Sequence, residues 1–241
     1  MKLTDVRRIG WDTETTGKDP TTARIVTAAV VIRGGTLPDA THTWLINPGV
    51  PISDEVAAIH GITTQKAQAE GQDPKTALNG IAEILTAALS WRSPVVAFNT
   101  SFDWTVLHHD LARNGLPTMA DRLNGADPLT LIDPHVIDKQ ADQYVKGAGQ
   151  RKLKPTAERY GIEITNWHTA EADAEAALAV AEAQFDRYAH LQNYTPEELY
   201  AAQQRWRREQ QDSLRSYFIM QGETDKAATV QTAWPLIGGD Q

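Results

Sequence analysis

The chain contains no cysteine. Disulfides and thiolate-held zinc are thereby excluded, and a reducing cytoplasm is the expected compartment. It also lacks long apolar runs. Its uninterrupted hydrophobic stretches last only a few residues, far short of the ~18 that span a bilayer, so no membrane association is expected. The opening MKLTDVRRIG holds no apolar core of a signal peptide. Basic residues are in deficit, with 23 Lys and Arg against 31 Asp and Glu and a net charge of −8. That balance argues against a broad basic face for nonspecific duplex binding. It leaves open an enzyme that holds a nucleic-acid end through bound cations. The 241 residues, 41% of them hydrophobic, are enough for one sizeable α/β domain, alone or with an extension.

Three strand-like stretches come first: RRIGWDTE, RIVTAAVVIRGG and THTWLINPG. They are rich in β-branched residues and closely spaced, which predicts an antiparallel meander. Two helical patterns follow, SDEVAAIHGI with Ser53 as N-cap and DPKTALNGIAEILTAALSW with Asp73 at the cap and Pro74 behind it. SPVVAFN reads as a buried strand, SFDWTVLHHDLARNG as a helix ending at Gly115, LTLID as a fifth strand and KPTAERYG as a short helix. Residues 168–190 form a long alanine-rich helix, with Ala172, Ala176, Ala179 and Ala183 as a small-residue stripe. A last helix begins at Thr195–Pro196, and KAATVQTAWPLIGGDQ has no helical period. The division expected is a domain over 1–190 and a helix with tail over 191–241. Early strands followed by interleaved helices suggest one sheet flanked by helices.

In a strand, residues i and i+2 share a side. Asp12 and Glu14 therefore project together, and Thr13 faces away. Adjacent like charges need a cation or water, and oxygen-only ligands suit Mg²⁺ or Mn²⁺. Taken alone, the pair also fits a solvated strand end. Two further pieces shift the reading. Asp103, in AFNTSFD, sits in the first turn of a helix, and HTAEADAEAA places His168 and Asp173 five positions apart at the start of another.

Asp12-x-Glu14, Asp103 in its Asn-x-x-Phe-Asp context and His168-x₄-Asp173 together resemble the motifs of the DEDDh 3′–5′ exonucleases. That family includes the proofreading epsilon subunit of bacterial DNA polymerase III, ribonuclease T and oligoribonuclease. IHGITTQKAQAEG and AFNTSFDWTVLHHDLARNGL are similar to family stretches between the motifs, and the resemblance covers roughly residues 5–188. It implies a ribonuclease H-like α/β fold, with a five-stranded mixed sheet whose second strand is antiparallel to the rest. It implies two divalent cations, Mg²⁺ or Mn²⁺, held by Asp12, Glu14, Asp103 and Asp173. Four carboxylates and two such ions balance in charge. His168 is the expected general base, its free pKa of ~6.5 suiting neutral pH. The expected product is a nucleoside 5′-monophosphate.

Thr15 and Thr16 resemble family positions that contact the terminal nucleotide. His60 and Phe102 are candidates for the same pocket, Phe102 by stacking a base. The run Lys146, Arg151, Lys152 and Lys154 is a candidate for backbone phosphates or a solvated loop, and Asp138 and Asp142 are read as surface. The expected partner is a nucleic-acid 3′ end, single-stranded DNA first and RNA as the alternative. An inactive exonuclease-like binding module is the reading from another class, against which the intact five residues speak. QTAWPL, at 231–236, resembles the short peptide by which polymerase subunits and repair enzymes bind the bacterial sliding clamp. The competing and preferred reading is a strap in which Trp234 and Leu236 fold back onto the nuclease domain.

Overall fold

The computed structural model of the chain describes residues 2–165 and 167–238. Strands β1 (Arg8–Thr15), β2 (Ile25–Arg33) and β3 (Ala40–Leu45) form the antiparallel meander. Helices α1 (Asp54–His60), α2 (Thr64–Glu70) and α3 (Pro74–Ser90) lead to β4 (Val95–Val96). Then follow α4 (Thr100–Arg113), α5 (Met119–Arg122), β5 (Leu131–Ile132), α6 (Pro134–Ala141), α7 (Leu153–Arg159) and α8 (Ala170–Arg187). Helices α9 (Pro196–Met220) and α10 (Thr224–Ala228) complete the order. The sheet runs β3-β2-β1-β4-β5, and β4 and β5 join parallel to β1, so β2 alone runs against the others among the described residues. This is the ribonuclease H-like arrangement expected from the motifs. Among the described residues no helix is long and apolar enough to cross a membrane.

Local chemistry starts the helices where the sequence places them. Ser53, Asp73 and Thr195 each accept a backbone N–H of the first turn, and Thr195 forms a reciprocal capping box with Glu198. Two elements differ from expectation. α2 forms on TTQKAQAE, which has no apolar period, because Thr63 caps it and Ala67 is buried. α10 makes Lys226–Ala228 helical where no helical period was read, with Ala227 as its buried contact.

The central strand is covered by α8, which lies across β1 and β2. The face of α8 in the main core is Ala170, Ala174, Ala177, Leu178 and Ala181, so the helix is rotated from the stripe read in the sequence; Ala172, Ala179 and Ala183 are only half-buried. Gly10 permits the contact. A Cβ there would stand 2.5 Å from the Ala174 carbonyl oxygen and 2.7 Å from Val31 Cγ2. Both neighbours are fixed, one as helix backbone and one as sheet side chain. Gly10→Ala is therefore expected to force α8 outward. Overpacking of this kind costs about 1–3 kcal/mol, or a melting temperature lower by about 2–4 °C for each kcal/mol in a chain of this size. Asp173, one residue from Ala174, moves with the helix, so activity falls more than stability does. Thermal melts and rates measured together on the same variant check this.

The extension packs on the same core. Leu199, Tyr200, Ala202, Trp206 and Trp234 join the hydrophobic cluster of the sheet. The tail runs back as a strap. Gln211 Nε2 donates to the Gln231 carbonyl at 2.9 Å, Trp234 Nε1 donates to Asp133 Oδ2 at 3.2 Å, and Ile237 N donates to Thr105 Oγ1 at 2.9 Å. Trp234 is 6% exposed, and Leu236 packs against the core. The sliding-clamp reading of this segment is therefore withdrawn, because its apolar anchors are already engaged within the chain.

Candidate active site

Four carboxylates from three elements meet at the end of β1. Asp12 and Glu14 project from the central strand with period two. Asp103 comes from the first turn of α4 and Asp173 from the first turn of α8. Burial is the main reason that Asp12 holds its proton far above the usual carboxylate range, and the charges of Asp103, Asp173 and Glu14 add to it. Glu14 is raised to about 8 by burial and by repulsion from Asp173 and Asp103. Asp103 is raised to about 7, burial outweighing its hydrogen bonds from Thr13. Asp173 is raised by burial, with the neighbouring His168 opposing. Its Oδ1 is buried and has no hydrogen-bond partner.

His168 reaches this cluster. Its ring and the carboxylates of Glu14 and Asp173 offer ligand atoms within 4.8 Å of one another. The residue is exposed and has φ of 69°, immediately before the Thr169 N-cap of α8. It stands at the mouth of the cluster, on a loop that the helix start fixes, rather than inside the helix as the spacing suggested. A left-handed backbone is uncommon outside glycine, and histidine is among the residues that adopt it most readily.

Thr13 corrects the sequence reading. It does not merely face away: its backbone N donates to Asp103 Oδ1 at 3.1 Å and its hydroxyl donates to the same oxygen at 2.6 Å. Thr13 thus fixes Asp103 from behind and leaves its second oxygen for the cluster. The motif letter between the two acids was the available signal, since a hydroxyl there is the smallest side chain able to reach a neighbouring carboxylate.

Beside the carboxylates lies an open pocket of about 360 Å³, lined by residues that include Glu14, Thr15, Lys18, Ile59, His60 and Phe102. Thr15, His60 and Phe102 are thus brought together as expected. Thr16 is not among the lining residues. Its hydroxyl accepts from Arg24 N at 3.0 Å and its own N donates to the Arg24 carbonyl, which makes it part of the turn into β2. His60 Nδ1 accepts from Ile62 N at 3.2 Å; burial lowers its pKa, opposed by the backbone of Thr15. Lys18 and Ile59 were missed. Val56, Ile59 and His60 share one face of α1 at spacing i, i+3, i+4, which is the pattern that would have found Ile59.

Two further expectations change. Arg151 is not free for phosphate, since it donates to Asp138 Oδ2 at 2.8 Å. Asp138 is not surface: it is 1% exposed and also takes Arg159 at 2.7 Å.

The donor set fits hard divalent cations. It is all-oxygen, four-carboxylate and electrostatically unstable when empty, and it keeps one buried oxygen without a partner. A sign follows for stability. A carboxyl whose folded pKa exceeds its unfolded value loses stability as pH rises from the unfolded value to the folded one. For Glu14 that window runs from the ordinary 4.5 to about 8. In EDTA the melting temperature is expected to fall across this window. A saturating divalent ion should abolish the fall, adding ~2.7 kcal/mol at a hundredfold excess over Kd. Melting curves at several pH values with EDTA and with Mn²⁺ check it.

A five-stranded sheet of this order, with carboxylates converging at the end of its central strand, is the ribonuclease H-like arrangement. Residues 9–181 match the family model RNase_T, described as Exonuclease, and the chain belongs to that family. No curated protein matches the sequence. Among solved structures, E. coli exonuclease I in complex with a dT13 oligonucleotide superposes with a TM-score of 0.65 at 20% identity, over 79% of this chain and 43% of that one. The zinc-bound E. coli exonuclease I–ssDNA complex gives 0.64 at 20%, over 79% and 42%. The moderately thermophilic exonuclease I of Methylocaldum szegediense gives 0.61 at 25%, over 77% and 41%. The chain thus spans about two-fifths of the length of these relatives.

Proposed function

We propose that this chain is a metal-dependent 3′–5′ exonuclease that releases nucleoside 5′-monophosphates from single-stranded DNA, in proofreading or repair. The observation that carries the reading is the convergence of Asp12, Glu14, Asp103 and Asp173, with Asp173 Oδ1 buried and unpartnered. These four residues would hold the divalent cations, Mg²⁺ or Mn²⁺, which would supply Lewis acidity and lower the pKa of a bound water. His168, exposed at the mouth, takes the proton of the attacking water as general base. Thr13 keeps Asp103 aligned through its two hydrogen bonds. The pocket of Thr15, His60 and Phe102 receives the terminal nucleotide, with Phe102 as the stacking face.

DNA is favoured because fold relatives are described in complex with dT13 and dA16 oligonucleotides. RNA is the second reading, since choice between the two rests on few contacts to the 2′-OH. Initial rates on oligo(dT), oligo(rU) and duplex DNA of equal length, with Mn²⁺, decide. The proposal expects oligo(dT) to be digested fastest. A faster rate on oligo(rU) transfers the assignment to RNA.

A further inference from the structure

Helix α9 carries Gln203, Arg207 and Gln210 at spacing i, i+4, i+7, which places them on one face. The two glutamines fix where that face lies. Gln203 Oε1 accepts from Asp133 N at 2.7 Å and its Nε2 donates to the Leu131 carbonyl at 3.0 Å. Gln210 Nε2 donates to the Val136 carbonyl at 3.0 Å. Arg207 therefore projects at the first turn of α6. It is 7% exposed and donates no hydrogen bond to any described residue, and its Nε is buried without a partner. Burying a guanidinium without acceptors is costly.

Two more polar groups stand in the same place without hydrogen-bond partners. His135 Nδ1 is buried and unpartnered, and its ring packs at 5.3 Å on Phe98. Lys139, on the same face of α6 as His135, is half-buried and makes no ion pair with a described residue. The charges of Lys139, Arg207 and Arg151 all bear on His135 and depress its pKa further after burial. Arg207 and Arg151 likewise depress Lys139 after burial. The carboxylates that face the group are Asp133 and Asp138. Asp138 is taken by Arg151 and Arg159. Asp133 is taken by the N–H groups of Asn99, His135 and Val136 and by Trp234. Asp133 Oδ2 takes only Trp234 and its charge bears on Arg207, but neither carboxylate forms an ion pair or hydrogen bond with Arg207 among the described residues.

We propose that Arg207, Lys139 and His135 form a phosphate-binding site between α6 and α9, next to the carboxylate cluster, with a phosphate group of the nucleic-acid strand as its occupant. A tetrahedral oxyanion supplies the hydrogen-bond partners that all three groups lack, and arginine suits it by its planar fork. The site adjoins the cluster through Asp133, whose Oδ1 accepts from Asn99 N at the start of α4 and whose charge is felt at Asp103. Arg207 lies beyond residue 181, where the family match ends, while His135 and Lys139 lie within it, so the extension completes the site. The anion site does not depend on the reading of the carboxylate centre; naming the strand as its occupant does.

The test uses the full chain, Arg207→Gln and Lys139→Gln. Lys139→Gln alters a half-buried position at the edge and keeps the test open if the first variant fails to fold. Inorganic phosphate is titrated by calorimetry in EDTA, which reads the site without catalysis. Oligo(dT) kinetics with Mn²⁺ are then followed against salt. The expected result is loss of phosphate binding in the variants, and KM raised about tenfold with kcat kept. The salt dependence should be shallower by ~0.7 for one lost backbone contact. Lost phosphate binding with unchanged KM and salt slope would keep the anion site and make a free phosphate or mononucleotide its occupant. Absence of phosphate binding to the wild type, with KM and salt slope unchanged in both variants, would overturn the proposal.

Discussion

Replacing Asp12 by asparagine is expected to lower nuclease turnover on the order of 10³-fold or more while leaving the chain folded. The side chain keeps its shape, so the strand and its register with β2 persist. What is lost is a negative oxygen from the cluster proposed to hold the divalent cations. The stability effect has the opposite sign from the activity effect. Asp12 is held protonated far above the usual range by burial and by three neighbouring carboxylates. Asparagine enters the cluster without taking up a proton, so that cost of folding disappears, and Asp12→Asn in EDTA should melt at or above the wild type. Activity and melting temperature measured on one preparation separate this from simple damage, which would lower both. Wild-type turnover in Asp12→Asn would contradict the assignment of the cluster.

Trp234→Ala is expected to be the most destabilising single change in the extension. Truncating a buried tryptophan costs about 3–5 kcal/mol, and at about 2–4 °C per kcal/mol the melting temperature should fall by about 10 °C. Two losses combine. The ring packs at 5.2 Å against Tyr200, within the core cluster. Its Nε1 also satisfies Asp133 Oδ2, which is left buried and short of a donor. Trp234→Phe keeps most of the packing and removes only the donor, so its melt should lie between the two. The strap also touches the site's own framework: Ile237 N donates to Thr105, two residues from Asp103 on α4. Thermal melts of the three proteins check the ranking, and an unchanged melting temperature in Trp234→Ala would contradict an anchored tail.

The site was legible where chemistry is carried by local spacing. Asp12 and Glu14 could be placed on one side of a strand by period two alone, and Asp103 in a first helical turn by the strand that precedes it. The same holds for caps such as Asp73 and Thr195, whose partners lie three residues away. It was not legible where the partner is distant in sequence. Thr13 was read as facing away because strand alternation says nothing of α4, whose Asp103 lies 90 residues on. Asp138 was read as surface because the cations that bury it, Arg151 and Arg159, come from a loop and a short helix with no period. The rotation of α8 over β1 was missed for a related reason. Alanines fill nearly every face of that helix, and only Gly10 on the opposing strand shows which of them makes the close contact. The two-residue strands β4 and β5 were found by their apolar runs, but their shortness is set by sheet pairing, with Val95 opposite Leu131.

The central claim is that Asp12, Glu14, Asp103 and Asp173 hold divalent cations that serve hydrolysis from a 3′ end. The most direct measurement follows a 5′-labelled single-stranded oligonucleotide, with purified protein, in Mn²⁺ and in EDTA. The account predicts a ladder that shortens one nucleotide at a time from the 3′ end in Mn²⁺, release of nucleoside 5′-monophosphates, and no shortening in EDTA. Internal fragments in Mn²⁺, or a ladder that persists undiminished in EDTA, would contradict it.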